Sequence, residues 1–147
     1  MSTIRFEVPG IPVPQGSMKG FPMGRRVILT DSNAQLKPWR SVVALKAQEH
    51  APETPLTGAI YLSLAFFLPV PKSAPKRRRL HAIKKPDCSK LVRAVEDAFT
   101  GILWADDAQV VQISASKQLA YDHAPGVSVH VEELEPITTA VVRARLA

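Results

Sequence analysis

The apolar positions of this chain recur with a period of two in some segments and close to 3.6 in others. Residues 3–8 alternate apolar and polar side chains, which predicts a half-buried strand. Residues 60–68 form a short apolar and aromatic run that ends at Pro69, so a buried strand fits better than a helix of that length. Two β-rich runs cover residues 110–119 and 126–133, and the turn-forming residues between them predict a closing hairpin.

Two other segments carry helical spacing. After Pro38, apolar residues recur at helical intervals, which predicts a helix from about residue 38 to 50. The second helix is the clearer one, because its apolar residues follow i, i+4, i+7, i+8 and i+11 while charged residues occupy the opposite face. We expect either Asp87 or Ser89 to cap its start, and Gly101 to supply a stop at its end.

Pro-rich segments separate these elements. Residues 9–24 combine prolines with glycines, and residues 69–86 combine prolines with lysines, so both are predicted to be surface loops. The order β-α-β-α-β-β then predicts a single small α+β domain over residues 1–135, with helices packed on a mixed or antiparallel sheet. Residues 136–147 are predicted to form a C-terminal tail. A chain of 147 residues has room for one core, and we therefore expect one active site per chain.

The composition restricts the class of protein further. Cys88 is the only cysteine, which rules out an intrachain disulfide and a cysteine cluster that could hold zinc or an iron–sulfur centre, and favours a reducing compartment. No apolar stretch approaches the length of a membrane helix, and residues 1–10 lack the apolar segment of a signal peptide. We therefore expect a cytoplasmic protein that does not span a membrane.

Positive charge is concentrated in one part of the chain. Nine of the 19 basic residues lie between Lys72 and Arg93, where Asp87 is the only carboxylate, and the net charge is +6. Clustered cations of this kind bind nucleic-acid phosphates and release counterions. The alternative is a solvated loop with no binding role. The residues predicted to contact DNA are Lys76, Arg77, Arg78, Arg79, Lys84, Lys85 and Lys90.

Three carboxylates lie close to the ends of the second helix, with Asp87 before it and the pair Asp106 and Asp107 after it. Asp87 and Asp107 can converge only if the chain after the helix folds back beside the helix start. Two carboxylates, together with waters and a phosphate oxygen, would then satisfy Mg²⁺, which polarises a phosphodiester and activates water. Without convergence, Asp87 is only a helix cap and the Asp pair only an acidic turn. The residues alone leave both interpretations open.

The segment that contains these carboxylates resembles a known signature. Residues 85–101 read KPDCSKLVRAVEDAFTG, and residues 104–110 read WADDAQV. In order and spacing they resemble the motifs of RusA-type Holliday-junction resolvases (crossover junction endodeoxyribonucleases), typically K-P-D-x-D-(N/K)-L-x-(K/R)-A followed by D-D-x-Q-V. The Pro-rich start at residues 8–16 is also similar, so the resemblance covers most of residues 3–134.

This resemblance implies a homodimeric endonuclease of recombination and repair that cuts opposed strands of four-way DNA junctions symmetrically, using Mg²⁺ or Mn²⁺. It implies that Asp87 and Asp107 hold the metal and that Arg93 stabilises the transition state. An alternative for Arg93 is a structural pair with Asp97 one turn on. Proteins that resemble this family are often encoded by phages or prophages.

One position departs from the signature. The second Asp of the P-D-x-D motif is Ser89, whose neutral hydroxyl is a weaker metal ligand. Ser89 can hold a metal-bound water or cap the helix, and Asp106 can rotate in as a substitute. Trp104 is expected in the core rather than stacked on an unpaired base. The sequence therefore leaves two functions open, an active metal-dependent resolvase and a catalytically weakened or silent junction-binding protein.

Overall fold

The computed structural model describes residues 2–16, 18–24, 26–31 and 34–137, so most of the predicted tail, residues 138–147, lies outside the described residues. In chain order the elements are β1 (Thr3–Pro9), β2 (Met18–Met23), β3 (Arg26–Asp31), α1 (Leu36–His50), β4 (Ala59–Leu68), α2 (Cys88–Phe99), a 3-10 turn (Asp107–Gln109), β5 (Val110–Leu119) and β6 (Gly126–Leu134). The α+β class and both predicted helices are confirmed. Within the described residues, neither helix is long and apolar enough to cross a bilayer.

Four strands form one mixed sheet in the order β1-β6-β4-β5. β6 pairs antiparallel with β1 and β4, whereas β4 pairs in parallel with β5. A parallel pair needs a crossover connection, and α2 supplies it between β4 and β5. As a consequence, α2 begins near the end of β5 and ends near the start of β5.

The core lies between one face of this sheet and the two helices. Every second residue of β4 is buried in it, and Val127, Val129 and Val131 contribute the buried face of β6. Trp104 is fully buried, with its ring edge-to-face against Phe99 at 5.8 Å between centroids, so its expected place in the core is confirmed. The main core residues of the helices are Trp39, Val43, Ala47, Leu91, Val95 and Phe99.

The predicted hairpin of β5 and β6 is wrong, because β6 lies between β1 and β4 while β5 lies at the edge. Burial gives the physical reason. β6 offers three core-facing valines to a central position, whereas β5 carries the exposed polar residues Gln112, Ser114 and Ser116. Apolar side chains gain most where the sheet is covered, so the more polar strand takes the edge.

The prediction of a loop over residues 9–24 is wrong in part, since Met18–Met23 forms β2 and pairs antiparallel with β3. These strands form a separate two-stranded sheet. Proline cannot donate to a central ladder, but each strand of a two-stranded sheet has one unpaired side, which accommodates Pro22. Gly24 stands in the connecting turn with a φ of 64°, a conformation that favours glycine.

Candidate active site

Asp87 occupies the N-cap position of α2, but its side chain accepts no capping hydrogen bond there. The carboxylate is 57% exposed, and its ion-pair contact is a loose one to Lys90 at 3.8 Å. A carboxylate that served only as a cap would accept a backbone N–H of the first turn. The oxygen atoms of Asp87 are therefore available to a ligand from solution.

The segment before Asp87 is fixed from the edge of the sheet. Lys117 of β5 donates hydrogen bonds from Nζ to the carbonyl oxygens of Lys84 and Pro86, both at 2.8 Å. On the other side, the Gln15 amide donates to the carbonyl oxygen of Lys90 at 3.0 Å. An open groove of about 590 Å³ lies at this position, and its lining residues are Pro12, Val13, Pro14, Gln15, Gly16, Gln35, Lys85, Pro86, Asp87 and Lys90.

Asp106 has a structural role in the turn that leads into β5. Its Oδ1 accepts the Ala108 amide at 2.8 Å, while the Gln109 side chain accepts the Asp106 amide at 2.7 Å, which completes a capping box. The side-chain Nε2 of Gln109 also donates hydrogen bonds to the carbonyl oxygens of Leu56 and Gly58, at 2.8 and 2.9 Å. These bonds fix the turn and leave the neighbouring Asp107 side chain outside the capping box.

Asp107 lies at the C-terminal end of α2 beside the hydroxyl of Thr100. That hydroxyl also lies 3.1 Å from the Glu96 carbonyl oxygen and accepts the Trp104 indole N–H at 3.2 Å. Burial raises the pKa of Glu96, and the negative charges of Asp107 and Asp97 raise it further. The carboxylates of Glu96 and Asp107 thus lie together at the C-terminal end of α2, where the helix dipole adds a partial negative charge. A cation would stabilise this arrangement.

Asp87 and Asp107 do not meet within one chain. One stands at the N-cap of α2 and the other contacts the C-cap residue Thr100. The 12-residue helix separates the two ends by about 18 Å. The convergence considered from the sequence therefore does not occur in a single chain. Among the described residues, no group of three or more His, Cys, Asp or Glu side chains is positioned to hold a metal ion.

The seven predicted DNA contacts differ in their surroundings. Arg79 forms a bidentate ion pair with Asp122 and lies over the Tyr121 ring at 5.3 Å, so it anchors the loop to the segment before β6. The ion pair lowers the pKa of Asp122 and raises that of Arg79. Of the other six predicted contacts, Lys90 alone pairs with a carboxylate within the described part of the chain. The exposed cations without such a contact are Lys76, Arg77, Arg78, Lys84 and Lys85.

Arg93 and Ser89 lie exposed on α2. The described residues show no Arg93–Asp97 ion pair, so the structural alternative for Arg93 is not found. The charge of Arg93 instead acts on Glu96, where it opposes the rise in pKa. Sequence reasoning missed Glu96, because only the fold brings Asp107 close to it. It also missed Lys117, for which a position 30 residues after Asp87 gave no signal.

The chain is similar to a known protein family and to a bacterial protein. A family model described as endodeoxyribonuclease RusA matches residues 9–132 of the chain. A curated protein of Bacillus subtilis (strain 168), named uncharacterized protein YqaN, is 34% identical over 143 residues, which cover 91% of this chain and 99% of that protein. Both ends of α2 and the whole of β5 lie inside the family match.

Proposed function

Because this chain belongs to the RusA endodeoxyribonuclease family, whose members resolve Holliday junctions, we propose that it is a metal-dependent endonuclease that cuts opposed strands of four-way DNA junctions. The observation that carries the proposal is the Asp87 carboxylate, which is exposed and makes no capping bond at the start of α2. It lies beside an open groove at one end of the basic segment. A phosphodiester bound by the surrounding cations would reach this carboxylate.

The cations of the loop supply the affinity for DNA. Lys76, Arg77 and Arg78 are exposed, and Lys84 and Lys85 lead directly into Asp87. Each phosphate contact releases counterions, so binding is expected to be strong at low salt and to weaken steeply as salt rises. Arg79 contributes mainly by holding the loop on Asp122, which presents its neighbours toward solvent.

The donor chemistry fits a hard divalent cation such as Mg²⁺ or Mn²⁺. Such ions prefer oxygen ligands and take only one or two carboxylates from the protein. Asp107 and Glu96 supply two carboxylates at one end of α2, and Asp87 supplies one at the other. When bound, the ion would polarise the scissile phosphate and lower the pKa of an attacking water.

We place the complete site between two copies of the chain. Since about 18 Å of helix separates Asp87 from Asp107, one ion cannot bind both within a single copy. A two-fold axis that sets the α2 helices of two copies antiparallel brings Asp87 of each copy toward Asp107 of the partner subunit. Two equivalent sites follow, one for each of the opposed strands. We assign to Arg93, which is exposed on the same helix, the role of stabilising charge on the phosphate oxygens.

The second candidate function is a junction-binding protein with weak or no cleavage. It is favoured by Ser89, which puts a neutral hydroxyl where the family motif has a carboxylate, and by the absence of a three-carboxylate cluster among the described residues. The two candidates share the basic surface and differ only in the metal site. They therefore predict the same binding and different cleavage.

Cleavage of a labelled synthetic four-way junction tests the proposal, with linear duplex of the same sequence as substrate control and with Mg²⁺, Mn²⁺ or EDTA added. We expect metal-dependent, symmetric cuts in the junction alone. Asp107→Asn is expected to abolish cleavage and to leave junction affinity equal or higher. Glu49→Gln is the matched control, because among the described residues that carboxylate pairs with Lys46 on α1, away from both ends of α2. Junction-selective binding without any cut would favour the silent binder, and equal cleavage by Asp107→Asn and parent would refute the metal assignment.

A further inference from the structure

An apolar groove of about 510 Å³ lies between the basic loop and the ends of β4 and β5. Its volume is within the range of small-molecule sites, roughly 300–1,000 Å³. Aliphatic side chains and prolines form most of its lining, and the larger aliphatic ones are Ile11, Leu68, Leu80, Ile83 and Leu119. The groove is therefore suited to an apolar group, although it lies in the most basic part of the chain.

Two of these aliphatic side chains are held out toward solvent. Leu80 is 37% exposed and Ile83 is 87% exposed. The Leu80 amide donates a hydrogen bond to the Tyr121 hydroxyl at 3.1 Å, and the Ile83 amide donates to the His81 carbonyl oxygen at 3.0 Å. Because these bonds fix the wall of the groove in the free protein, little ordering is needed when a ligand binds. Covering the two side chains removes apolar surface from water and so favours binding.

The rim of the apolar groove is positively charged. Lys84 and Lys85 line it, and its described lining residues include no Asp or Glu. On one side the apolar groove continues through Lys85 and Pro86 into the groove beside Asp87. On the other side it adjoins a groove lined by residues 76–79, all of them lysine or arginine. The apolar surface is therefore flanked by cations in both directions along the loop.

This combination selects an occupant that is apolar in one part and anionic in another. A nucleotide whose base is unpaired meets both conditions, because the faces of the base are apolar and its phosphates are negatively charged. The chain's own residues 138–147 do not, since they carry Arg143 and Arg145 and no carboxylate side chain. Charge complementarity thus favours a nucleotide over this apolar segment of the same chain.

We infer that the apolar groove binds one unstacked nucleobase of a DNA strand whose phosphates lie on Lys84 and Lys85. The inference rests on the proposed function for the choice of DNA, and it names how the same site recognises a branch. Removing a base from a linear duplex costs free energy, and this cost is smallest where pairing is already interrupted. The groove therefore favours branched over linear DNA and holds the freed nucleotide beside Asp87.

Fluorescence of 2-aminopurine tests whether a base enters the groove. The probe replaces, one at a time, the bases next to the branch point of a synthetic four-way junction, and binding is measured in EDTA so that no strand is cut. Stacking quenches this base, and no Trp, Tyr or Phe lines the groove as described, so at least one position is expected to brighten when the parent binds. Acrylamide should quench the bound probe less than the same base in free junction. No brightening at any position, or full quenching by acrylamide, overturns the inference.

Ile83→Ser tests which residues receive the base. We expect it to weaken junction binding by about tenfold, because the lost apolar contact corresponds to a large aliphatic side chain. Binding to linear duplex should stay within about twofold of the parent, since no base is freed there. Ile83→Leu should restore junction affinity, and Leu45→Ser, at an exposed position of α1, is the matched control that should change neither affinity. Circular dichroism confirms that each variant is folded.

The remaining outcomes separate this inference from the proposed function. Equal losses on junction and duplex, or no loss with Ile83→Ser, overturn the groove as a base site. A change of oligomeric state in Ile83→Ser without a change in probe fluorescence would make the groove a contact between copies and overturns the inference as well. A parent that brightens the probe but never cuts a junction refutes the nuclease and keeps the groove. A parent that cuts junctions without brightening the probe keeps the nuclease and refutes the groove.

Discussion

Two inactive variants are expected to restore cleavage when they share one dimer. If each metal site takes Asp87 from one chain and Asp107 from the partner subunit, Asp87→Asn and Asp107→Asn homodimers have no intact site. In the heterodimer both changes fall in the same site, so the other site is complete. Purified heterodimer should therefore nick a junction at about half the rate of the parent. In an equal random mixture about half of the dimers are heterodimers, so the mixture should nick at about a quarter of the parent rate.

The assay uses two affinity tags, co-expression and sequential purification, with products resolved on denaturing and native gels. Because one intact site cuts only one strand, we expect nicked junctions and no resolved duplexes. The control heterodimer pairs an unchanged chain with a chain carrying both substitutions, which damages both shared sites and should abolish nicking. If that control nicks and the first heterodimer does not, each site lies within a single chain and the shared-site reasoning is refuted.

Three further changes probe separate parts of the site. Ser89→Asp is expected to lower the Mg²⁺ concentration for half-maximal cleavage by about tenfold, and a metal titration without a shift would contradict a ligand role. Glu96→Gln is expected to raise the melting temperature at neutral pH. The pKa of Glu96 is raised in the folded protein, so the charged carboxylate destabilises the fold once the pH rises above 4.5, the ordinary pKa of glutamate. Below pH 4.5 the gain from Glu96→Gln should vanish. The double change Arg77→Ala and Arg78→Ala should reduce the slope of log affinity against log salt by about 1.8, while Lys37→Ala on α1 should leave it unchanged, and equal slopes would remove these arginines from the DNA contact.

The elements that follow local patterns were predictable from the sequence. The alternation in β1 and the spacing of apolar residues along α2 identify both elements, and the structure confirms them. Strand order was not predictable in this way, since a short connection permits a β5–β6 hairpin but does not require it. The order depends on which strand gains most from burial, and that gain becomes visible only when the whole sheet is assembled.

The same distinction applies to the candidate site. Asp87 and Asp107 stand out in the sequence through their motifs, but the distance between them depends on the path of the crossover. Glu96 resembles any charged residue on an exposed helix face until Thr100 brings Asp107 beside it. Contacts made across many residues of sequence carry no periodicity, which is why such groups are found only in the folded chain.

The hydrogen bonds of Lys117 link the edge of the sheet to the segment before Asp87. A displacement of β5 would therefore be transmitted to the carboxylate. Because each proposed metal site takes one carboxylate from each of two copies, assembly and catalytic competence become a single equilibrium. Below the dissociation constant of the dimer, the activity of such an enzyme would fall with the square of its concentration, and its specific activity would fall in proportion to concentration. A newly made, isolated copy would be harmless to intact DNA, and cutting would begin only when two copies had met.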